Sequence, residues 1–369
     1  MKAAVLMEAK QPLEVREIAL DKPKPDELLI RVAASGLCHS DLHFAKGDLP
    51  IALPVVLGHE AAGVVEAVGA DVRGFEVGDH VVSCALIFCG HCDPCVSGRG
   101  HMCIDKPRRS EADGPRLTLD EKPVTQLAQL GGFAEQMLVH QNSIVKVDRA
   151  MPLDRAALLG CGVLTGIGAV FNAAQVSPGS RVVVIGCGGV GLNVIQGARI
   201  AGAEQIVAID VNPEKRALAE HFGATDFIVS GPDVVQEVRD ITRGGANFAF
   251  EVIGIPDAIT QGIQMLAPSG LMTIIGAPKA GAMIQIPGMP TLNNEWRIQG
   301  SHFGAGAFTR DIPRFVSMYM KGQIDLDTLI SGRIGLDGVN QGFANMLGGA
   351  QARNVIVFDD VLSSAAAHA

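Results

Sequence analysis

The stretch that most restricts what this chain can fold into runs over residues 181–210, RVVVIGCGGVGLNVIQGARIAGAEQIVAID. Residues 182–185 are a short β-branched apolar run, as suits a strand buried on both faces. Gly186, Gly188 and Gly191 follow in G-x-G-x-x-G spacing. Helical periodicity then runs to about Ala201, and a second apolar run over 205–209 is closed by Asp210. The first glycine permits a tight turn, the second lets backbone approach a pyrophosphate, and the third lets helix pack closely on strand. Free N–H groups at the helix start then face an anion. In a chain with 44 glycines the spacing alone says little. With a strand before it, a helix after it and an acid closing the next strand, it reads as a dinucleotide site. Its turn comprises Gly186, Gly188, Gly189 and Gly191, with Asp210 placed to accept from ribose hydroxyls, which favours NAD.

At 369 residues the chain is long for one domain and comfortable for two. Hydrophobic residues at 48% against 19% charged imply large cores rather than disorder. A formal net charge of −9 without a cationic face argues against nucleic acid as a partner. The apolar run over 3–7 before Glu8 is too short for a signal peptide. Residues 156–174 carry no charge, so a membrane span has to be weighed, but four glycines, Thr165, Asn172 and Cys161 fit a buried glycine-rich segment better. A cytoplasmic protein without a membrane partner is expected. Eight cysteines then point to metal or redox chemistry rather than disulfides.

The first part of the chain reads as antiparallel β, with short, partly alternating runs over 2–7, 13–18, 27–34, 61–68, 80–83 and 132–139. Residues 104–128 mix charge and proline without periodicity and read as a long surface loop. From Arg181 strands and helices alternate, with further apolar strands at 228–229, 248–252 and 271–275 and a sixth at 296–299. Asn212-Pro213-Glu214 is a helix start and Gly223 a stop. This is the pattern of a doubly wound parallel sheet. Past about Gly304 a helix over 311–320 and a strand over 354–358 are expected to rejoin the first domain, and the small residues 363–369 to fray.

Cys89, Cys92, Cys95 and Cys103 form C-x2-C-x2-C-x7-C. One compact loop with this spacing can close a tetrahedral thiolate cage around zinc. A bacterial iron–sulfur pattern needs three residues before the fourth cysteine and proline after it, whereas here the gap is seven and Ile104 follows. Four thiolates leave no open position, so such a site is structural; His91 and His101 read as loop surface. A second signal is dispersed over residues 38–43 (CHSDLH), His59-Glu60 and Cys161 among glycines. Spacing alone does not bring these together, and each taken singly reads as readily as a buried small residue or a satisfied core histidine.

The motifs GHEAAGVV at 58–65, the four-cysteine loop, GCGVLTG at 160–166 and VIGCGGVG with Asp210 resemble the zinc-dependent medium-chain alcohol dehydrogenases, over about residues 2–358. The resemblance implies an α/β chain with a GroES-like β-barrel catalytic domain (1–162, completed by 304–369) and a Rossmann NAD-binding domain (163–303). It implies two zinc ions per chain, the catalytic one held by Cys38, His59 and Cys161 with one position open. An alcohol there would lose its proton through Ser40 and the cofactor ribose to His43, a residue type that titrates near neutrality. Asp41 would orient His59, and Glu60 would be a transient ligand or a structural acid. Lys215 would support the ribose, His39 and Arg353 the pyrophosphate, and Thr165 and Val190 the nicotinamide face. His39 stands where arginine is frequent in the family.

The resemblance also implies a wide apolar substrate region. Ala85 replaces a bulky aromatic, Leu49 and Ala277 are apolar, and His302 stands where an aliphatic residue is common. Longer, branched or aromatic primary alcohols and their aldehydes are the expected substrates, in a homodimer or homotetramer. Cys84 and Cys187 match no ligand position. A glutathione-dependent formaldehyde dehydrogenase, acting on S-(hydroxymethyl)glutathione, shares both zinc sites. It would need basic groups such as Arg108, Arg109 and Arg116 at the substrate mouth. A non-catalytic zinc- and NAD-binding protein is the reading from another class, and the presence of Cys38, His59 and Cys161 counts against it.

Overall fold

The strand Glu27–Gly36 is the spine of the first of two units: eight of its ten residues are buried. The computed structural model describes residues 1–349 and 352–367. Its two compact units are Met1–Cys161 with Ala307–Ala369, and Gly162–Gly306. In the first, Glu27–Gly36 pairs antiparallel with Glu60–Val68, Gln136–His140 and Arg353–Val357. The sheet extends through His80–Ser83 and Ile144–Lys146 on one side and Ile330–Ile334 on the other. A second sheet runs Glu14–Glu17, Lys2–Leu6, Val55–Val56, Lys122–Gln126, Leu117–Leu119, Ala19–Leu20. Leu28, Ile30, Val32, Val65 and Val81 fill the core of the larger sheet, each at most 1% exposed. The return of the chain at Arg353–Val357 therefore completes a sheet begun more than three hundred residues earlier.

The segment expected as a surface loop over 104–128 is corrected by the structure. Leu117–Leu119 and Lys122–Gln126 form an antiparallel hairpin, with Leu117, Leu119 and Val124 buried. Its turn uses Asp120 and Glu121 at φ 50° and 63°, so no glycine or Asn-Gly pair marked it. The chain end differs too: Asp359–Ala367 is helical, because Asp359 and Asp360 supply a favourable acidic first turn and alanine continues it. His368 and Ala369, also expected to fray, lie outside the described residues.

The second unit carries six parallel strands: β1 (Arg181–Ile185), β2 (Gln205–Asp210), β3 (Asp226–Val229), β4 (Ala246–Glu251), β5 (Leu266–Ile274) and β6 (Arg297–Gly300). Their order, β3-β2-β1-β4-β5-β6, reverses direction of growth between β1 and β4. Val183, Ile185, Val207 and Ile209 are at most 5% exposed, as a sheet covered on both faces requires. Helix α1 (Gly189–Ile200) follows β1 and buries Leu192, Val194, Ile195 and Ala198. Asn212 Oδ1 accepts from the Glu214 N–H at the next helix start, and Gly223 ends that helix at φ +118°. The uncharged stretch over 156–174 is broken into a 3₁₀ turn, a short α-helix and a π-turn, with most residues buried. No single helix among the described residues is long and apolar enough to cross a membrane.

Candidate metal centres and dinucleotide turn

Cys38 ends the extended chain leaving Glu27–Gly36 and N-caps the helix His39–Ala45. His59 immediately precedes the strand Glu60–Val68, and Cys161 follows the 3₁₀ turn Ala157–Gly160. These three separate segments bring one ligand atom each from Cys38, His59, Glu60 and Cys161 to within 4.8 Å of one another. All four residues are at most 6% exposed. Gly58 makes the approach possible: its φ is +92°, and a Cβ there would lie 2.6 Å from the Phe133 nitrogen.

One carboxylate orders this cluster. Asp41, fully buried, accepts from His59 Nδ1 at 3.1 Å and from the Gly58 N–H at 2.9 Å through Oδ1, and from the Cys38 N–H at 3.1 Å through Oδ2. With Nδ1 so engaged, Nε2 of His59 is left as the ligating atom. The hydrogen bond from Cys161 is the main influence holding the Cys38 thiol well below its ordinary range, with Arg353 and His59 adding to it. Cys161, donating that bond, is pushed well above the ordinary range. Two thiolates brought this close repel each other, and a cation between them relieves that repulsion. Two soft sulfurs, one imidazole nitrogen and a buried, water-poor setting are a donor set that fits zinc.

A carboxylate oxygen of Glu60 lies within 4.8 Å of the Cys38, His59 and Cys161 ligand atoms. Burial raises its carboxyl to about 7, opposed by the Arg353 guanidinium. Arg353 Nη2 lies 3.3 Å from Glu60 Oε1, an ion-pair distance without hydrogen-bond alignment, so both Glu60 oxygens lack a hydrogen-bond partner. Arg353 Nη1 donates to the Leu37 carbonyl at 3.1 Å, and the whole side chain is 5% exposed. The structure therefore places Arg353 in the buried network under Cys38. Its pairing with Glu60 had no sequence signal, since the residues belong to opposite ends of the chain.

Of the other candidates in this unit, Ser40 Oγ lies 3.7 Å from Cys38 Sγ. His43 is 41% exposed at its side chain and its Nδ1 is 2.9 Å from Asp48 Oδ2. His39 is exposed on the first turn of the same helix. Cys84 is buried with its thiol pushed up to about 12 by desolvation, as is Cys187 in the second unit, so neither is a reactive thiolate.

Cys89, Cys92, Cys95 and Cys103 converge on one lobe of the first unit. Their sulfurs stand 3.4 Å (Cys92–Cys95), 3.8 Å (Cys89–Cys95) and 3.8 Å (Cys92–Cys103) apart. A tetrahedron with Zn–S bonds of about 2.3 Å has edges of about 3.8 Å, so the set is closed to zinc dimensions. The N–H groups of Cys89 and Cys92 point at the Cys103 and Cys89 sulfurs, each at 3.3 Å, which favours thiolates. All eight cysteines are unpaired. His91 is not among these four; it pairs with Asp105 at 3.0 Å on the exposed rim.

Arg109 and Arg116 are likewise placed. Both converge on buried Glu27, Arg116 Nε donating to its Oε1 at 2.7 Å and Arg109 Nε lying 3.6 Å from it, while Arg109 also pairs with Asp21. Their side chains are 7% and 8% exposed, so they fasten the 104–116 segment to the barrel.

In the second unit Gly186 has φ +103° and Gly188 N-caps α1. A Cβ on Gly191 would collide with the Gly186 carbonyl, so the turn closes only with glycine there. Gly189 and Val190 form the first turn of α1, and Thr165 is half-buried on the helix Gly162–Gly168. Asp210, 6% exposed, accepts from the Cys187 N–H at 2.7 Å and Lys215 Nζ at 2.9 Å through Oδ2, and from the Asn212 N–H at 3.0 Å through Oδ1. The acid that closes β2 thus braces the glycine turn and holds Lys215 beside it.

A β-sheet unit with a buried Cys–His–Cys cluster and a second unit with a glycine turn on a doubly wound sheet fit the oxidoreductase class. Residues 24–149 match the model of the alcohol dehydrogenase GroES-like domain, and residues 189–320 that of the zinc-binding dehydrogenases. The chain is 38% identical to putative alcohol dehydrogenase D of Mycobacterium tuberculosis, across 96% of this chain and 99% of that one. It is 36% identical to S-(hydroxymethyl)glutathione dehydrogenase of Paracoccus denitrificans, across 97% and 99%. The crystal structure of benzyl alcohol dehydrogenase from Acinetobacter calcoaceticus superimposes with a TM-score of 0.91 at 33% identity, covering 97% of this chain and 99% of that one. The chain belongs to the zinc-dependent medium-chain alcohol dehydrogenase family, for which zinc and a nicotinamide dinucleotide are the typical cofactors.

Proposed function

We propose that this chain is an NAD-dependent alcohol dehydrogenase acting on bulky, apolar or aromatic primary alcohols and their aldehydes. The observation that carries this reading is the buried Cys38, His59 and Cys161 set, aimed by Asp41. Those three residues would hold one zinc ion, and Cys89, Cys92, Cys95 and Cys103 a second, structural one. A zinc ion bound at the first set supplies Lewis-acid polarisation of the alcohol oxygen, which lowers its proton affinity. Ser40, whose hydroxyl neighbours Cys38, takes the alcohol proton, and half-exposed His43, steadied by Asp48, delivers it to solvent. Asp41 keeps His59 in one tautomer and orientation throughout. Glu60 and Arg353 balance the charge beside the sulfurs. Residues 1–162 with 304–369 form the catalytic part, and 163–303 the part that binds NAD.

Asp210 and Lys215 would receive the adenosine ribose, while Gly186, Gly188, Gly189 and Gly191 admit the pyrophosphate. Val190 and Thr165 would line the nicotinamide, with His39 and Arg353 on the pyrophosphate side. A ribose phosphate against Asp210 would meet a carboxylate flanked by Val211, so NADP is disfavoured. Small Ala85 and apolar Leu49 and Ala277 favour bulky alcohols, in line with the benzyl alcohol dehydrogenase likeness. A homodimer or homotetramer in the cytoplasm is part of the same reading. It is supported by exposed Met283, Met289 and Leu292, apolar surface of the kind a partner copy covers, and by eight unpaired thiols.

The Paracoccus relative favours S-(hydroxymethyl)glutathione as a second reading. Commitment of Arg109 and Arg116 to Glu27 leaves only exposed Arg108 of the three arginines to meet a glutathione carboxylate. The deciding experiment follows NADH absorbance with benzyl alcohol or S-(hydroxymethyl)glutathione, each with NAD and NADP. The proposal expects kcat/KM to favour benzyl alcohol and NAD, each by about 10²-fold. A preference for the glutathione adduct selects the second reading.

A further inference from the structure

Glu251 closes β4, the strand beside β1 at the point where the strand order reverses. Its side chain is wholly buried and turns onto the loop that follows. Oε1 accepts from three consecutive N–H groups: Ile253 at 2.8 Å, Gly254 at 2.6 Å and Ile255 at 3.3 Å. Oε2 has no partner. Its backbone carbonyl accepts from Ile275 at 2.8 Å and Gly276 at 3.0 Å, which ties in the turn after β5 as well. The helix α2 (Pro256–Gln264) has Ile255 as its N-cap and no side-chain cap of its own, so this carboxylate is what holds the entry.

The loop so held abuts the glycine turn. A Cβ on Gly186 would lie 2.7 Å from Ile253 Cγ1 and 2.9 Å from Val252 Cγ2. Gly254, at φ +87°, lies against the backbone of Ala277. Ile253 and Ile255 are nonetheless 45% and 49% exposed, presenting apolar surface at the carboxyl ends of the strands. In open α/β sheets that crevice, at the reversal of strand order, is where ligands enter.

We propose that Glu251 is a positioning residue for the dinucleotide: it fixes the 252–255 loop as a preformed wall beside Gly186. It acts through backbone and does not itself touch the cofactor. A preformed wall spares binding the cost of ordering that loop. Burial raises the Glu251 carboxyl against the three N–H groups, so acceptor geometry matters more here than charge. Glutamine, whose amide oxygen can take the same three bonds, is therefore the conservative replacement. The inference rests on the dinucleotide reading of this unit.

The test measures the NADH dissociation constant by fluorescence, together with KM for NAD and for benzyl alcohol, in full-length wild type, Glu251→Leu, Glu251→Asp and Glu251→Gln. Glu251→Leu is expected to weaken NADH binding and raise KM for NAD about 10- to 100-fold, with KM for the alcohol within about threefold of wild type. Glu251→Asp retracts the acceptor by one methylene and is expected to weaken NADH about three- to tenfold, which decides the matter if the leucine variant does not fold. Glu251→Gln should bind NADH within about threefold of wild type. NADH affinity unchanged in both Glu251→Leu and Glu251→Asp overturns the proposal, as does weakening in Glu251→Gln equal to that in Glu251→Leu. A wild-type protein that binds no NADH sinks the dinucleotide reading itself; binding by wild type and every variant alike sinks only the role of Glu251.

Discussion

Asp41 Oδ1 accepts from His59 Nδ1 at 3.1 Å while its other oxygen holds the Cys38 N–H, so one buried carboxylate aims two ligands that lie on different segments. Removing such an oriented partner costs about 10- to 100-fold in metal affinity or activity in zinc sites. Asp41→Asn turns an amide N–H₂ toward one of these donors, and is expected to lower zinc affinity at this cluster by that factor. Zinc analysis after graded chelation checks it: one ion per chain should leave early and one should stay. Equal retention of both ions in the variant and wild type would remove Asp41 from this role.

The four-cysteine lobe is expected to serve stability. Structural zinc contributes folding energy outright, so Cys95→Ser should lower Tm markedly and make unfolding sensitive to chelator. Any protein that remains folded should keep its alcohol KM. Thermal melts with and without chelator give the answer, and a melting curve unchanged from wild type would contradict a structural role.

His43 lies at the exposed end of its helix, with its ring 2.9 Å from Asp48. His43→Gln should lower kcat for alcohol oxidation about 10- to 100-fold, the low end for acid–base groups, because solvent can replace a terminal relay. Added imidazole buffer should restore part of the loss. A kcat equal to wild type across pH 6 to 9 would make His43 a surface residue only.

Asp154 shows a pH dependence whose sign follows from its partners. Burial opposes its ionisation, yet Arg155 Nη1, donating to both carboxylate oxygens, and Arg333 Nε and Nη2, both donating to Oδ2, hold its carboxyl below the ordinary range. The folded state therefore binds the proton less readily than the unfolded chain. Its stabilisation is fully present above the unfolded value of about 4, and is lost as pH falls through the lower folded value. Asp154→Asn should cost about 2–4 kcal/mol near neutrality, since it breaks charge-assisted bonds that are worth about 1.5–3 kcal/mol each and do not add fully. Urea melts at pH 7 and pH 3 should show the gap between variant and wild type narrowing in acid. A gap that widens in acid would contradict the assignment.

Local signals carried some parts of this molecule and not others. Residues 181–210 were legible because strand, turn and helix chemistry all act within thirty positions, and the structure has β1, α1 and β2 there. Cys89, Cys92, Cys95 and Cys103 were legible because one loop carries all four sulfurs. Cys38, His59 and Cys161 were not legible from spacing: their convergence depends on pairing of Glu27–Gly36 with Glu60–Val68, and it was the family likeness that joined them. The Glu60–Arg353 pair depends on Arg353–Val357 returning to that same sheet. The hairpin at 117–126 went unread because Asp120 and Glu121 take left-handed backbone without glycine. Arg109 and Arg116 read as basic groups that could serve a substrate mouth, and no local signal showed that the fold sets both against Glu27.

The most direct measurement of the central claim is NADH formation from benzyl alcohol and NAD by wild type and by Cys161→Ser, with zinc content determined on both. The Cys38–His59–Cys161 set is expected to support turnover in wild type with two zinc ions per chain. Cys161→Ser should lose about 10³-fold or more in kcat/KM, the several kcal/mol that metal polarisation supplies, while the four-cysteine zinc and the fold remain. Turnover by Cys161→Ser within tenfold of wild type, or a zinc-loaded wild type that forms no NADH from any primary alcohol, would contradict the account.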